Sequence, residues 1–367
     1  MPTEKLKVLH VIARFNIGGT ARYLGVLLPE LEARNSNSKL LVGRVQQGEV
    51  EDSSLVNLNF ARIESLGRRI NFIADMKSYF RIRRIVKDYR PHLIHSHTFK
   101  AGMLCRLMYF RIPKVHTFHG HLLTDPEFSK HQMKAIVNIE RFLAIFAKKL
   151  IVTGWSVATD LLAIGVGRPN QYVSIPGESH LSGLLQRKVA RKNLGLSNEF
   201  TILWSARVVP VKNPKLLVQV AKLMPDCIFL MAGDGIELDA IIESGPHNLK
   251  ILGFVDLREI ITAADVFLST SLNEGIPYSI LEAQSVSLPV VAVKAGALSE
   301  IIKDGVNGYL VGPNADEIVS RIEKLRASPE LIESMKSSSL ATSLTNHSKT
   351  SFSERHIELY REVLSTN

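Results

Sequence analysis

Two glutamates, Glu274 and Glu282, stand with seven residues between them in the stretch Ser271-Leu272-Asn273-Glu274-Gly275-Ile276-Pro277-Tyr278-Ser279-Ile280-Leu281-Glu282-Ala283. Pro277 suits the first position of a helix, so the amides around it point out of a helix start and form an anion site. Carboxylates in direct contact with phosphate would repel it. They make sense if they accept hydrogen bonds from neutral hydroxyls while amides and cations hold phosphate. A plainer reading has one glutamate favoured by the helix macrodipole and the other solvated. Taken alone, the pair leaves both readings open.

Cations of the required kind lie upstream. Arg207 and Lys212 flank Pro210 after an apolar run, Thr201–Ser205. A rigid guanidinium fork beside a flexible ammonium suits a diphosphate; two exposed loop cations are the alternative. Near the N-terminus, Asn16-Ile17-Gly18-Gly19-Thr20 leads into a helical pattern. Paired glycines there make either a phosphate loop or a tight turn, and the G-x-G-x-x-G dinucleotide pattern is absent. His92, His95, His97, His116, His119 and His121 cluster within thirty residues. They lack an HExxH spacing and an acidic partner, so hydrogen bonding to a hydroxylated ligand fits them better than a metal. His119, followed by Gly120 after a strand, is the candidate for direct contact.

Short apolar runs alternating with amphipathic stretches must position these groups. Strands are expected at Lys7–Ala13, Leu40–Val45, His92–His97, Val115–Phe118 and Leu150–Thr153. A second series follows at Thr201–Ser205, Cys227–Ala232, Lys250–Phe254, Val266–Ser269 and Pro289–Val293. Helical faces are marked by Phe72, Ile73, Met76 and Phe80, by Leu216, Leu217, Val220 and Ala221, and by Ile318, Val319, Ile322 and Leu325. Continuous apolar strands between such helices imply parallel sheets covered on both sides. The pattern restarts near residue 200. The expected organisation is a first α/β domain over 1–176, a linker over 177–198, a second domain over 199–350 and a terminal helix over 351–367 that packs back on the first domain. Ligands of open α/β sheets bind beyond the carboxyl ends of strands. Each candidate residue after Gly18 follows a strand in this way, and two facing sheets would place the ligand in a cleft between domains.

A 367-residue chain with 46% hydrophobic and 22% charged residues reads as two globular domains rather than a disordered chain. The net charge of +10 comes without a basic tail, zinc finger or aromatic RNA-binding signature, so nucleic acid is not an expected partner. Cys105 and Cys227 lie in apolar stretches and read as buried free thiols. No run approaches the roughly 20 apolar residues of a spanning helix, which suggests a cytoplasmic protein.

The motifs, in order, resemble those of glycosyltransferase family 4. Glu274 and Glu282 match its E-x7-E signature and Gly18-Gly19 its N-terminal glycine loop. His95 to Gly102, Thr117-Phe118-His119-Gly120 and Arg207-Val208-Val209-Pro210-Val211-Lys212 resemble further family segments. So do Gly233-Asp234-Gly235, Gly253-Phe254-Val255 and Asp304-Gly305-Val306-Asn307-Gly308. The resemblance implies a GT-B fold, two facing Rossmann-like domains, and a retaining transfer from a nucleotide-diphosphate sugar without a metal or other cofactor. It implies that Arg207 and Lys212 hold the diphosphate, and that Glu282 bonds the ribose. Glu274, with the backbone of Gly275 and Ile276, meets the donor sugar and phosphates, and His119 lies beside the transferring sugar. Gly18, Gly19, Gly233, Phe254 and Val255 line the nucleotide site. Three segments depart from the family pattern: Gly154-Trp155-Ser156, Pro176-Gly177-Glu178-Ser179 and Gly296-Ala297-Leu298-Ser299-Glu300.

The expected donor is a UDP-sugar, with GDP-sugars as the alternative. The expected acceptor is a glycan or a polyprenyl-diphosphate-linked oligosaccharide at the inner face of a cell membrane. The basic segments Arg81–Arg90 and Arg187–Lys192 suit peripheral contact with anionic lipid there. Competing readings are a sugar-nucleotide 2-epimerase of the same architecture and a non-catalytic nucleotide-sugar scaffold.

Overall fold

The computed structural model describes residues 5–108, 110–120 and 130–365. His121 lies outside them. The chain forms two compact units, one running up to Gly177 and including the C-terminal segment from Lys349, the other Glu178–Ser348.

In the first unit, Leu6–Ile12 (β1), Ser36–Val42 (β2), Phe60–Arg62 (β3), Leu93–His97 (β4), Lys114–Phe118 (β5), Lys149–Val152 (β6) and Tyr172–Ser174 (β7) form one parallel sheet. Its order is β3-β2-β1-β4-β5-β6-β7. The strand order reverses between β1 and β4, which makes the carboxyl ends of those strands the natural ligand site. The crossovers are Gly19–Ala33 (α1), Phe72–Tyr89 (α2), Phe99–Arg106 (α3), Lys130–Ala144 (α4) and Trp155–Ala163 (α5).

The second unit opens with Arg187–Asn193 (α6). Its sheet consists of Thr201–Ser205 (β8), Ile228–Ala232 (β9), Leu249–Gly253 (β10), Val266–Ser269 (β11), Val290–Val293 (β12) and Gly308–Val311 (β13), in the order β10-β9-β8-β11-β12-β13. Here the order reverses between β8 and β11. The covering helices are Pro214–Leu223 (α7), Leu238–Ser244 (α8), Leu257–Ile260 (α9), Tyr278–Ser285 (α10), Leu298–Ile301 (α11), Ala315–Arg326 (α12) and Pro329–Asn346 (α13). The last helix, Lys349–Ser365 (α14), belongs to the first unit and packs along α1.

The expected doubly wound sheets are present, with three further strands. β3, β7 and β13 each close a sheet edge with only three or four residues, too few to show a period. Residues 178–198, expected as a linker, belong to the second unit. Within them Arg191 is buried and bonds the carbonyls of Ser197, Glu199 and Ala263, which anchors α6 on that unit. Pro277 stands just before α10 rather than as its first residue.

One helix is turned opposite to its expected orientation. The apolar stripe Phe72, Ile73, Met76 and Phe80 of α2 faces solvent. The face laid on the unit carries Asp75, Ser78, Ile82 and Val86. Asp75 forms an ion pair with Lys100 at the start of α3, and Ser78 bonds Ser65 and the Ala74 carbonyl. Polar partners inside have therefore set the rotation of α2 against its hydrophobic period.

Candidate active site

At the carboxyl edge of the second unit, the loops after five strands are stitched to one another. The loop after β8 carries Arg207 and Lys212. Its Val208 amide donates to the Asp234 carbonyl after β9 at 2.9 Å, and its Val208 carbonyl accepts from Glu237 at 3.0 Å. The Gly233 amide donates to Gly253 at the end of β10 at 2.7 Å. A Cβ at Gly233 would stand 1.9 Å from the Ala206 carbonyl oxygen, so the close packing of these loops requires glycine there.

The loop after β11 meets the loop after β8 directly. Leu272 donates to the Val211 carbonyl at 2.8 Å, and the Lys212 ammonium forms an ion pair with the Glu274 carboxylate. Both side chains are largely enclosed. The Lys212 backbone is fixed from below, because buried Trp204 donates its indole N–H to Thr270 Oγ1 at 2.9 Å and that hydroxyl donates to the Lys212 carbonyl at 2.8 Å. Glu274 is held from the other side. Ala297, after β12, donates to its carbonyl at 3.0 Å, and Gly296 lies so close that a Cβ would be 1.8 Å from the same oxygen. Gly296 has φ +51°, a conformation that glycine adopts without steric cost. The single glycine of the divergent segment Gly296-Ala297 thus supplies the close approach that the Glu274 backbone needs.

The other candidates surround this centre. Arg207 is exposed, and its guanidinium has no hydrogen bond or ion pair among the described residues. Gly275 is partly exposed, while the Ile276 side chain is buried in the core and leaves only its backbone for a ligand. Glu282 is buried on α10. Phe254 is exposed and Val255 half-buried just beyond β10. A fixed ammonium, a free guanidinium and enclosed carboxylates at a switch point can bind a polyanion bearing hydroxyls.

The first unit's edge has a different character. Gly18 and Gly19 are exposed at the start of α1, and a Cβ on Gly18 would meet nothing within 4 Å. Packing therefore leaves this helix start open to a ligand. His119 follows β5, half-buried, and its Nε2 lies 3.0 Å from Nδ1 of His97. His97 Nε2 lies 3.2 Å from Nδ1 of His10 on β1. His95 bonds the Tyr360 hydroxyl at 2.7 Å and the Thr117 hydroxyl at 2.6 Å. His356 on α14 bonds Tyr23 of α1 at 2.6 Å, and the Tyr23 ring stands edge-on to His119 with centroids 4.8 Å apart.

Burial, reinforced by neighbouring histidines, lowers the pKa of His10 and His119 to about 3 and holds His95 and His97 well below the usual imidazole value. For His356 burial is again the main cause, with Arg355 adding to it, and the value falls to about 4. These rings are neutral at physiological pH. His10, His95 and His97 bring ring nitrogens within 4.8 Å of one another. Hydrogen bonds join His10 Nδ1 to His97, His97 to His119, and His95 to the Tyr360 and Thr117 hydroxyls, whereas buried His10 Nε2 has no hydrogen-bond partner among the described residues. His116 is apart from this chain: it bonds Ser96 and packs on Gly102, near the buried Arg106–Glu140 ion pair.

Sequence reasoning missed His10, Tyr23, His356 and Tyr360 here, and Trp204 and Thr270 in the second unit. His10 had a signal, a polar residue among the apolar residues Val8 to Ile12. His356 and Tyr360 had another, a helical four-residue spacing. Neither reveals the other's location.

The family model described as Glycosyl transferase 4-like domain matches residues 18–177, and that described as Glycosyl transferases group 1 matches residues 186–340. The chain belongs to glycosyltransferase family 4. Among family relatives, the UDP-Gal:alpha-D-GlcNAc-diphosphoundecaprenol alpha-1,3-galactosyltransferase of Escherichia coli is 28% identical over 337 residues, 85% of each chain. The alpha-galactosylglucosyldiacylglycerol synthase of Streptococcus pneumoniae is 29% identical over 54% of this chain and 58% of its own length. Sucrose-phosphate synthase from Thermosynechococcus elongatus superposes with a TM-score of 0.84 at 18% identity, covering 99% of this chain and all of that one. Anabaena HepE in complex with UDP gives 0.77 at 21%, covering 97% and 100%. The fold is GT-B, and this family 4 protein is a glycosyltransferase.

Proposed function

We propose that the protein is a retaining, metal-independent transferase that moves a hexosyl or N-acetylhexosaminyl group from a UDP-sugar to a polyprenyl-diphosphate-linked glycan during cell-surface polysaccharide synthesis, working at the inner face of the cell membrane. The observation that carries the reading is the Lys212–Glu274 ion pair at the β8/β11 switch point, with exposed Arg207 on the same loop as Lys212, so that an ammonium and a guanidinium stand at the edge that would hold a diphosphate. The E. coli relative named for a diphosphoundecaprenol acceptor and a UDP-galactose donor supports the choice of substrates.

In this reading the donor diphosphate takes Lys212 and Arg207, and Glu274, released from its ion pair, accepts hydrogen bonds from sugar hydroxyls. The glycosidic bond to the leaving phosphate breaks as positive charge spreads over the sugar ring. Negative charge grows on the diphosphate, where the two cations and the amides around Gly275 and Ile276 stabilise it. Glu282 takes the ribose hydroxyls. Neutral His119 offers a hydrogen bond to the sugar without adding charge that would oppose the ring cation. The acceptor oxygen bonds to the anomeric carbon on the face from which the phosphate leaves and gives its hydroxyl proton to that phosphate, which retains configuration.

Calorimetric titration of UDP and GDP, with and without EDTA, tests this reading. We expect UDP to bind, EDTA to leave its affinity unchanged, and Lys212→Ala to weaken it. Binding abolished by EDTA would overturn metal independence. Failure of both nucleotides to bind would overturn the donor assignment.

A further inference from the structure

We infer that the outward face of α2 is a membrane-docking surface for an anionic bilayer. This rests on the reading of the acceptor as lipid-linked and names the part of the protein that meets the lipid.

Ile70 and Phe72 are 66% and 79% exposed, Ile73 68% and Phe80 58%, with Met76 between them. Residues 72, 76 and 80 recur at one helical repeat and residue 73 lies beside them, so they form one continuous stripe. Contiguous apolar surface of this kind marks an interaction site rather than scattered surface residues. Fold packing does not account for it, because the inward face of the same helix carries Asp75 and Ser78.

The charge around the stripe selects its partner. From Arg68 to Arg90 there are eight basic residues (Arg68, Arg69, Lys77, Arg81, Arg83, Arg84, Lys87, Arg90) and two acidic ones. Asp75 is buried and neutralised by Lys100, and Asp88 is exposed and paired with Arg84, so the outward face keeps an excess of cations. Lys77, Arg81 and Arg84 are exposed along one flank of the stripe. An apolar strip bordered by cations is the composition of a helix lying in the plane of an anionic leaflet, rings in the acyl boundary and cations among the headgroups. No described helix is long and apolar enough to cross a membrane, so attachment through this face is peripheral.

Its location suits delivery of a lipid-linked acceptor. Lys100 follows the carboxyl end of β4, and it reaches back to the Arg69 carbonyl and Asp75. The stripe therefore sits at the end of the first unit where Gly18, His97 and His119 stand. The C-terminal end of α2 runs to the opposite edge, into the start of β4.

The test is co-sedimentation of the full chain with vesicles of phosphatidylcholine alone and of equal parts phosphatidylcholine and phosphatidylglycerol. The wild type should bind the mixed vesicles and bind the neutral ones far less. Phe72→Ser/Ile73→Ser/Phe80→Ser should weaken binding to mixed vesicles by about tenfold or more. Lys77→Gln/Arg81→Gln/Arg84→Gln should abolish the preference for mixed vesicles. Both variants should bind UDP as the wild type does, which shows that they are folded. No binding by the wild type, or equal binding by the variants, would overturn the proposal. A wild-type dimer that the serine variant dissociates, without any vesicle binding, would overturn it in favour of a contact between copies. Loss of UDP binding by the wild type would count against the transferase reading and leave the vesicle result standing.

Discussion

The first unit lines its switch point, between β1 and β4, with imidazoles kept neutral by burial. The second lines its own, between β8 and β11, with an ammonium, a guanidinium and carboxylates. The two sheets share a winding rule, yet their edges are electrostatic opposites. At the second edge Lys212 and Glu274 form an ion pair and Arg207 is exposed to solvent. At the first edge, the α1–α14 layer covers the histidines and excludes the water that a charged ring would need. Under the proposed function this contrast is read as a division of labour, in which the second edge stabilises charge on the leaving group and the first offers hydrogen bonds to neutral hydroxyls.

Acidification should break the comparison first. His10, His95, His97, His116 and His356 are fully or almost fully buried, and all have pKa values held below 6.5. As pH falls below 6.5 the unfolded chain takes up protons that the folded unit does not bind, so stability falls. Well above that value these groups contribute no slope. The loss is about 1 kcal/mol per histidine per pH unit, on the order of 5 kcal/mol by pH 5.5. Hydrogen exchange followed from pH 7.5 to 5 should show β1, β4 and β5 losing protection before β8 and β11. Equal loss in both units would show that the neutral network does not set the first unit's acid stability.

Lys212→Ala sharpens the other half of the contrast. It removes a fixed cation from the growing diphosphate charge and leaves Glu274 without its ammonium partner. We expect kcat/KM for sugar transfer to fall by about 10²- to 10³-fold, with little change in thermal stability. His119→Ala, which removes no charge, should cost less. Initial rates with saturating acceptor decide it, and a larger loss for His119→Ala would reverse the roles assigned to the two edges.

Much of this architecture was readable because buried parallel strands are written as unbroken apolar runs. Val290–Val293 and Ile228–Ala232 fall almost where expected. Lys212 and Glu274 were readable for a related reason, since residues just beyond such runs occupy the ligand edge. The rotation of α2 was not. Periodicity names an apolar face, but the Lys100–Asp75 ion pair and the Ser65–Ser78 hydrogen bond, made across long sequence separations, turned that face outward. The histidine network was half visible. The cluster around His95 to His119 stood out, whereas its partners Tyr23, His356 and Tyr360 come from helices brought alongside only by the fold. Trp204 read as one more core residue, because nothing local distinguishes an indole that donates to Thr270 from one that only fills space.

That indole leads to the smallest effect and the finest test. Thr270 is fully buried and links Trp204 to the carbonyl of Lys212 through a single oxygen. Thr270→Val keeps the shape and removes the oxygen, leaving an indole N–H and a carbonyl without this partner. The expected loss of stability is about 1–3 kcal/mol. If the hydroxyl only satisfies the core, kcat/KM at a temperature well below unfolding should be unchanged. If it positions Lys212, the Michaelis constant for the donor should rise by roughly threefold to tenfold, under about 1.4 kcal/mol, and Thr270→Ser should restore it. An unchanged Michaelis constant would make Trp204 and Thr270 part of the core alone, and the placement of Lys212 would then rest on its own ion pair and the Leu272–Val211 hydrogen bond.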